Sequence, residues 1–334
     1  MACRTARAQM RRRDFLGVIG GAAVAWPLAT RAQQPAMPII GFLWYGSAVE
    51  WAPFVVAFRQ GLKETGFVEG QNVTIDFRWT EGQSDQQSVF AAELVRRRVA
   101  VIVTGTIGGL AAKAATTSIP IVFVVGADPV KTGLVVRLNE PGGNITGVSF
   151  FSNELSAKRL GLLHELLPKA TQIAVLVNPQ FPDSEDRMRD LREAARKLGL
   201  QVRVLGASTD GEIDMGFASL AEQRADALMI AADPFFTARR SRIVTLAGRL
   251  AIPAIYDLRD WTVTGGLFSY GTDVAAAFHQ TGIYVGKILN GTKAADLPVM
   301  QSTKYELVIN LKTAKTLGLE IPPMLLGRAD DVIE

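Results

Sequence analysis

Residues 119–129 read IPIVFVVGADP, a short run of β-branched and aromatic residues that stops at a glycine, an aspartate and a proline. Such a run predicts a buried strand that ends in a turn. A shorter strand at residues 101–103, a polar loop and a helical segment at residues 107–115 precede it. Because two strands joined by a crossover helix lie parallel in one sheet, this stretch predicts a βαβ unit.

A second copy of this unit lies further along the chain. A strand at residues 228–230, a loop at 231–234, a helical segment at 236–250 and a strand at 254–257 follow the same order, and Ile-Pro precedes the closing strand in both copies. Two such units far apart predict two α/β lobes of one design. Ligands of open parallel sheets bind beyond the carboxyl ends of the strands. Here those ends carry the polar residues Thr104, Thr106, Asp128, Asp233, Tyr256 and Asp257.

Strands and helices alternate through most of the rest of the chain. Strands are predicted at residues 39–43, 73–79, 145–150, 172–177, 201–205 and 305–310. Helices are predicted around residues 54–62 and at 87–98, 153–167, 184–198, 273–289 and 311–317, and we expect the last of these to end the ordered part. The alternation favours parallel sheets covered on both faces, so the predicted fold class is α/β with two doubly wound parallel-sheet lobes.

The charge of the chain is unevenly distributed. The 334 residues carry a formal net charge of +4, but residues 1–32 contain six arginines against one aspartate, a net of +5. Subtracting +5 from +4 leaves −1 for the remainder, so no basic face is available and we predict no nucleic-acid partner. A chain of this length is long enough for two domains with their own cores.

The N-terminal segment resembles a twin-arginine export signal. Arg12 and Arg13 stand before Asp-Phe-Leu, and the mild apolar stretch at residues 17–28 is too short to span a bilayer. In the sequence Thr-Arg-Ala at residues 30–32, small residues occupy the two positions that a signal peptidase reads. We therefore predict export to the periplasm and cleavage after Ala32. The single cysteine, Cys3, lies in this leader, so the mature chain is expected to fold without disulfides.

Five short motifs, taken in order, resemble one known family. They are GADP at residues 126–129, LVNP at 176–179, IPAIY at 252–256, SYG at 269–271 and VINLKTA at 308–314. Their order and spacing resemble the ABC-transporter substrate-binding family that includes tryptophan and tyrosine binders, over nearly the whole mature chain. The resemblance implies the type 1 periplasmic-binding-protein fold, in which a three-segment hinge joins two lobes around a ligand cleft.

The resemblance also implies domain bounds and partners. The helix after residue 273 is expected to return to the first lobe, and the last strand to cross again. After an export signal at residues 1–32, the implied N-terminal lobe comprises residues 38–149 and 271–298, and the C-terminal lobe comprises residues 150–270 and 299–334. The implied partners are a small-molecule ligand and a cognate ABC permease and ATPase complex.

Residues at the strand ends predict the chemistry of the cleft. Thr104 and Thr106 flank the start of a helix rich in Ala and Gly, and free N–H groups at a helix N-terminus bind carboxylates. Asp128 or Asp233 is expected to pair with an ammonium group. Aromatic residues near strand ends are expected to form a wall: Tyr45, Trp51, Phe150, Phe151, Phe181, Tyr256 and Tyr270. The predicted ligand-binding residues are Tyr45, Thr104, Thr106, Asp128, Asn178, Asp233, Tyr256 and Tyr270.

A purely structural interpretation of the same residues stays open. Aspartate before proline is a common N-cap and turn residue, so either aspartate fits a capping role as well as a binding role. Threonines also cap helices, and aromatic residues of an apolar chain more often belong to the core. We therefore expect about half of these aromatic residues to line the cleft.

The predicted function is that of a periplasmic solute-binding component of an ABC importer. Its ligand is predicted to be small and to carry a carboxylate, as an aromatic or branched amino acid or a related aromatic acid does. The alternative is a soluble ligand-sensing protein that signals to a membrane receptor. A sugar-responsive repressor would need a DNA-binding helix-turn-helix where the export signal stands.

An enzyme with an active site in this cleft is a further class. It would need a nucleophile–base pair or a metal cluster, and His164 and His279 stand alone in amphipathic helices. We predict no catalytic residue, no metal and no cofactor, and we expect a monomer.

Overall fold

The computed structural model describes residues 37–150, 155–182, 184–223, 225–302 and 304–334. The predicted export signal, its cleavage site and Phe151 lie outside these residues. Residues Pro38–Glu334 form one unit by their contacts. Within the described part of the chain, no helix is both long and apolar enough to cross a membrane.

The first sheet contains six strands within the described ranges, each parallel to its neighbours. They are β1 (Ile39–Trp44), β2 (Thr74–Trp79), β3 (Val101–Thr104), β4 (Ile121–Val125), β5 (Ile145–Ser149) and β11 (Met300–Gln301). Their order in space is β11-β5-β4-β3-β1-β2. The helices that cover this sheet are α1 (Ala48–Glu64), α2 (Gln86–Arg96), α3 (Thr106–Ala115) and α10 (Val274–Leu289). β3, β4 and β5 are buried along their whole length, as strands covered on both faces are.

The second sheet contains seven strands among the described residues. They are β6 (Gln172–Val177), β7 (Gln201–Gly206), β8 (Ala227–Ile230), β9 (Ala254–Tyr256), β10 (Phe268–Thr272), β12 (Tyr305–Asn310) and β13 (Asp331–Ile333). Their order is β13-β12-β10-β9-β8-β6-β7, and only the β10–β12 pair is antiparallel. The two sheets confirm the predicted α/β class with two parallel-sheet lobes. The remaining helices are α4 (Ser156–Leu166), α5 (Ser184–Lys197), α6 (Asp210–Gln223), α7 (Pro234–Thr237), α8 (Arg240–Arg249), α9 (Arg259–Val263), α11 (Leu311–Thr316) and α12 (Pro323–Leu326), with a 3-10 turn at Ala294–Asp296.

Helix α10 follows the second sheet in sequence but packs beside α1 on the first sheet. Two glycines allow this contact. A Cβ on Gly61 would lie 1.9 Å from the carbonyl oxygen of His279, and a Cβ on Gly282 would lie 2.2 Å from that of Phe58. Because only glycine lets two helix backbones approach this closely, these positions fix α10 to the first lobe.

The chain changes sheet three times, after β5, after β10 and after β11. Hydrogen bonds join the crossing segments. Thr272 Oγ1 donates to the carbonyl oxygen of Phe150 at 2.9 Å, and the N–H of Ser302 donates to the carbonyl oxygen of Ser149 at 2.9 Å. The three segments therefore lie side by side. The exact lobe bounds at residues 149, 270 and 298 stay a prediction.

Three local predictions need correction. The helix predicted at residues 236–250 is two helices, α7 and α8, because the chain leaves helical geometry at Arg239, where φ is −115° and ψ is 15°. Helices α6 and α9 were not predicted, although Ile213, Phe217 and Leu220 give α6 a buried face with helical spacing. The ordered chain also continues beyond α11, since α12 follows and β13 adds an edge strand to β12.

Candidate functional site

One cavity lies at the carboxyl ends of strands from both sheets and encloses about 680 Å³ of empty space, including its opening. The first sheet contributes residues at the ends of β1, β3, β4 and β5, and the second sheet contributes residues that follow β6, β8 and β9. Open parallel sheets bind ligands in this position.

The N-terminus of α3 forms part of the first-lobe face, the side of the cavity that comes from the first sheet. Gly105 is the N-cap in an extended conformation, and no side chain caps the first turn. The four residues 105–108 line the cavity. Since the first N–H groups of a helix have no acceptor within the helix, this turn offers donors to an anion.

Gly108 allows α3 to begin close to β3. A Cβ on Gly108 would lie 2.1 Å from Oγ1 of Thr104 and 2.5 Å from Oε1 of Gln87. Thr104 is fully buried behind this turn, whereas Gln87 belongs to the cavity lining. Nε2 of Gln87 donates to Oγ1 of Thr80 at 2.9 Å. The helix N-terminus therefore packs closely against two polar side chains.

Aromatic side chains bound the cavity on several sides. This aromatic wall consists of Trp44, Tyr45, Trp51, Phe150 and Phe181. The rings of Trp44 and Trp51 meet edge to face with centroids 4.8 Å apart, and Phe278 packs against Trp44 at 5.0 Å. Because its rings are held by other buried rings, the wall suits a flat apolar group.

Asp233 lies on the second-lobe face, the side of the cavity that comes from the second sheet. It follows β8 and is 5% exposed. Oδ1 accepts a hydrogen bond from the N–H of Phe235 at 2.6 Å and caps α7, while the buried Oδ2 has no hydrogen-bond partner among the described residues. Burial raises the pKa of Asp233 to about 7, against the lowering effects of the Phe235 N–H, the Arg187 charge and the Asn178 side chain.

Asp257 lies beside Asp233 at the end of β9, and we call the two residues the acid pair. Asp257 also lines the cavity, and its buried Oδ1 has no hydrogen-bond partner among the described residues. Burial raises the pKa of Asp257, against the attraction of Arg159. Two buried carboxyl groups on one face favour a cationic group in the cavity.

Two arginines lie behind the acid pair. Arg159 on α4 is fully buried, and burial lowers its pKa to about 10 despite the opposing charge of Asp257. Arg187 on α5 donates from Nη1 to the carbonyl oxygen of Ala232 at 2.5 Å, and its guanidinium lies 5.1 Å from the ring centroid of Phe181. Arg187 thereby connects α5 to the aromatic wall and to the end of β8.

Three of the predicted site residues, Tyr45, Thr106 and Asp233, line the cavity together. Thr104 lies directly behind the α3 turn. Asn178 lies next to Asp233, although its Oδ1 accepts a hydrogen bond from the N–H of Gln180 at 3.0 Å.

The structure does not bring three other predicted residues into the cavity lining. Asp128 caps a turn, where its Oδ1 accepts from the N–H groups of Val130 at 2.8 Å and Lys131 at 3.2 Å. Tyr256 is 1% exposed, and its ring stacks on that of Trp261 in the core. Successive side chains of a strand point to opposite faces, so Tyr256 points to the core whereas Asp257 points to the cavity. Tyr270 lies in β10, where its ring pairs with that of Tyr305 in β12 at 6.3 Å.

Some residues of the site were not among the predicted binders. Trp51, Phe150 and Phe181 were expected only as members of the broader aromatic set, and Asp257 only as a strand-end residue. Arg159 and Arg187 were not expected at all. The sequence does contain a signal for these two arginines, because each is a charged residue on a helix stripe that is otherwise apolar. Leu163 follows Arg159 by one helical turn, and Leu191 follows Arg187 by one helical turn. In the described ranges, no group of three or more His, Cys, Asp and Glu residues is arranged to hold a metal.

Comparison with known proteins gives consistent results. Residues 53–333 match the model of a family described as ABC transporter substrate binding protein. A tyrosine-binding protein of Clostridioides difficile is 28% identical over 264 residues, which are 79% of this chain and 76% of that protein.

Two solved structures extend this comparison. An ABC domain from Streptococcus pneumoniae in complex with L-Trp is 26% identical and gives a TM-score of 0.81. The ligand-free, open structure of a substrate binding protein with adhesive properties from Clostridium difficile is 29% identical and gives a TM-score of 0.64. Each match covers 89% of this chain and 99% of the other chain.

Proposed function

Because the chain belongs to the family of ABC transporter substrate-binding proteins, we propose that it is the periplasmic solute-binding component of an ABC importer. We further propose that its ligand is an amino acid with an aromatic or branched side chain, or a related aromatic acid. One observation carries this proposal: a single cavity has a helix N-terminus on one face, two carboxyl groups on the other and an aromatic wall beside them.

Each group of such a ligand has a matching surface. The carboxylate would accept hydrogen bonds from the first turn of α3 and from the hydroxyl of Thr106. The ammonium would pair with Asp233, whose Oδ2 has no other hydrogen-bond partner among the described residues. The apolar side chain would pack against the aromatic wall, where its burial contributes most of the non-directional affinity.

Closure of the two lobes is part of the proposal. This chain superposes better on the tryptophan-bound relative, at a TM-score of 0.81, than on the open relative, at 0.64, although both share similar identity and coverage with it. Arg240 of the second lobe also lies 3.9 Å from Glu50 of the first lobe. A transporter distinguishes loaded from empty protein only if the ligand favours one arrangement, and these features support a closed, ligand-competent one.

The partners and location follow from the same class of protein. We propose that the chain is exported by its twin-arginine segment and delivers its ligand to a cognate permease and ATPase, without catalysing a reaction. A soluble sensor for a membrane receptor would use the same cleft and is the second candidate. Genes for a permease and an ATPase beside this gene would favour the importer.

Calorimetry on the mature protein tests the ligand class. We expect L-tryptophan or L-tyrosine to bind, the deaminated analogue indole-3-propionate to bind more weakly, and glucose and ribose not to bind. The comparison of tryptophan with indole-3-propionate isolates the ammonium, because the two share the ring and the carboxylate. Binding of sugars alone would contradict the proposed site.

A further inference from the structure

We propose that ligand binding at the acid pair releases a proton, because the ammonium of the ligand takes the place of a hydrogen ion held on Asp233 in the ligand-free protein. This inference rests on the proposed amino acid site. The exchange conserves charge: the neutral carboxyl group and the cationic ligand give a carboxylate–ammonium pair in the cavity and one proton in solvent.

The contacts of Asp233 favour its neutral form when no ammonium lies beside it. One oxygen accepts a hydrogen bond from the N–H of Phe235, and the other is buried near the side chain of Asn178 with no hydrogen bond of ordinary geometry among the described residues. An ionised carboxylate with a buried, unbonded oxygen is unfavourable in such surroundings. Asp257 lies beside it and adds a second acidic group, which further disfavours two negative charges.

The other charged and titratable groups around Asp233 do not provide the missing partner. Arg187 on α5 lowers the pKa of Asp233, but its Nη1 donates to the backbone of Ala232 and its guanidinium faces Phe181. Arg159 on α4 acts on Asp257.

From the first lobe, Tyr45 faces Asp233, and burial raises the pKa of its phenol, so it remains neutral. Arg239, which precedes α8, is directed to Asp210 and the ring of Phe235.

The sign of the pH dependence follows from these contacts. Burial raises the pKa of Asp233 to about 7 when no ammonium lies beside it, and an ammonium in that position would lower the pKa. Below this pH the carboxyl group must lose its proton before it can pair with the ligand. The dissociation constant for an amino acid should therefore rise by up to about tenfold for each pH unit below the pKa, and should level off above it.

Calorimetry in two buffers of different ionisation enthalpy, phosphate and imidazole, measures the proton directly. With L-tryptophan as the probe at a pH about one unit below the pKa, the wild-type protein should release close to one proton per ligand bound. Asp233→Asn should release none and Asp128→Asn should behave as wild type, since Asp128 caps a turn outside the cavity lining. Indole-3-propionate, which lacks the ammonium, should release none from the wild-type protein.

The outcomes separate this inference from the proposed function. Tryptophan binding with a buffer-independent heat overturns the proton exchange but leaves the amino acid site intact. Proton release that persists in Asp233→Asn also overturns it, because the exchanging group then lies elsewhere. If no amino acid binds, the proposed function fails. The inference is then tested by NMR, which follows the ¹³C chemical shift of the Asp233 carboxyl group in the ligand-free protein as the pH changes. That carboxyl should titrate well above the ordinary range of aspartate, and an ionised Asp233 at mildly acidic pH would overturn the inference.

Discussion

The two faces of the cavity recognise charge by different means. The first-lobe face presents the N-terminus of α3, which attracts an anion through backbone N–H groups and the helix dipole. The second-lobe face presents the acid pair, which attracts a cation through side chains supported by Arg159 and Arg187. The donors of the first-lobe face are mainly backbone N–H groups, which no single substitution removes. The second-lobe face depends instead on a few buried charged side chains. Substitutions should therefore affect the two faces very differently.

The largest effect is expected from removing a charge behind the second-lobe face. Arg159→Met would remove the larger of the two arginine charges that oppose the buried Asp257, and removing one partner of buried opposite charges lowers the free energy of unfolding by up to about 3–5 kcal/mol. The loss should be smaller at acidic pH, because Asp257 can then be neutral. Urea unfolding at acidic and neutral pH measures it.

Lys158 provides the matched control for this substitution. It is exposed on the same helix, one residue before Arg159. Lys158→Met should change the free energy of unfolding by less than about 0.5 kcal/mol. Equal losses in the two variants would mean that the buried charge at position 159 has no special role.

The backbone donors of the first-lobe face can be disturbed only by moving the backbone itself, and Gly108 is the position for that test. A Cβ there would approach Thr104 Oγ1 at 2.1 Å and Gln87 Oε1 at 2.5 Å, so the start of α3 must shift. We expect Gly108→Ala to lower the free energy of unfolding by about 1–3 kcal/mol, as overpacking does, and to weaken carboxylate binding. Thermal unfolding and calorimetry measure the two effects.

Gly248 is the corresponding control in α8. A Cβ at Gly248 meets no atom within 4 Å. Gly248→Ala should therefore raise the free energy of unfolding by up to about 1 kcal/mol, because alanine is the better helix former, and should leave affinity unchanged. A destabilised Gly248→Ala, or a Gly108→Ala that binds as wild type does, would contradict the role given to the close approach at Gly108.

The two threonines at the start of α3 sharpen the comparison further. Thr106 lines the cavity, whereas Thr104 lies behind it. Thr106→Val should weaken binding of a carboxylate ligand by about 1.5–3 kcal/mol, the contribution of a hydrogen bond to a charged group. Thr104→Val, which has nearly the same shape and is not in the lining, should leave the affinity unchanged. Calorimetry that finds the opposite order would show that the hydroxyl of Thr106 does not face the ligand.

The difference between the faces also explains what the sequence could predict. The start of α3 and the position of Asp233 depend on local signals, namely a strand end followed by a glycine or proline and a helix. These signals predicted Thr106 and Asp233 as site residues, and the structure brings both into the lining of one cavity. The repeated strand–helix–strand unit was sufficient for the two parallel sheets, because each copy fixes its own neighbours.

What the sequence did not predict depends on orientation and on distant contacts. Tyr256 and Asp257 are adjacent, and the alternation of side chains along a strand directs one to the core and the other to the cavity. If the predicted phase of strand β9 is wrong by one residue, Tyr256 is assigned to the cavity and Asp257 to the core. Arg159 and Arg187 act through residues far away in sequence, so only the packing of α4 and α5 under the sheet reveals their partners.

The smallest effect is expected at an ion pair that joins the two lobes. Oε1 of Glu50 on α1 lies 3.9 Å from Nη1 of Arg240 on α8, and Oε2 of Glu50 accepts a hydrogen bond from Oγ of Ser47 at 3.0 Å. Glu50→Gln keeps the hydrogen bond to Ser47, since glutamine serves equally in a capping box, and removes only the charge that faces Arg240. If this pair forms on closure, the variant should bind its ligand up to about fivefold more weakly, because a solvent-accessible ion pair contributes at most about 1 kcal/mol.

Salt dependence and a second pair make this last prediction specific. The difference between wild type and Glu50→Gln should shrink as ionic strength rises, because salt screens exposed charges. Glu140 pairs with Arg137 at 3.7 Å within the first lobe, so Glu140→Gln removes a similar exposed pair that does not join the lobes. Its affinity should equal that of wild type at every salt concentration. Calorimetry on the three proteins at low and high salt checks this, and equal effects of the two substitutions would show that the Glu50–Arg240 pair does not contribute to closure around the ligand.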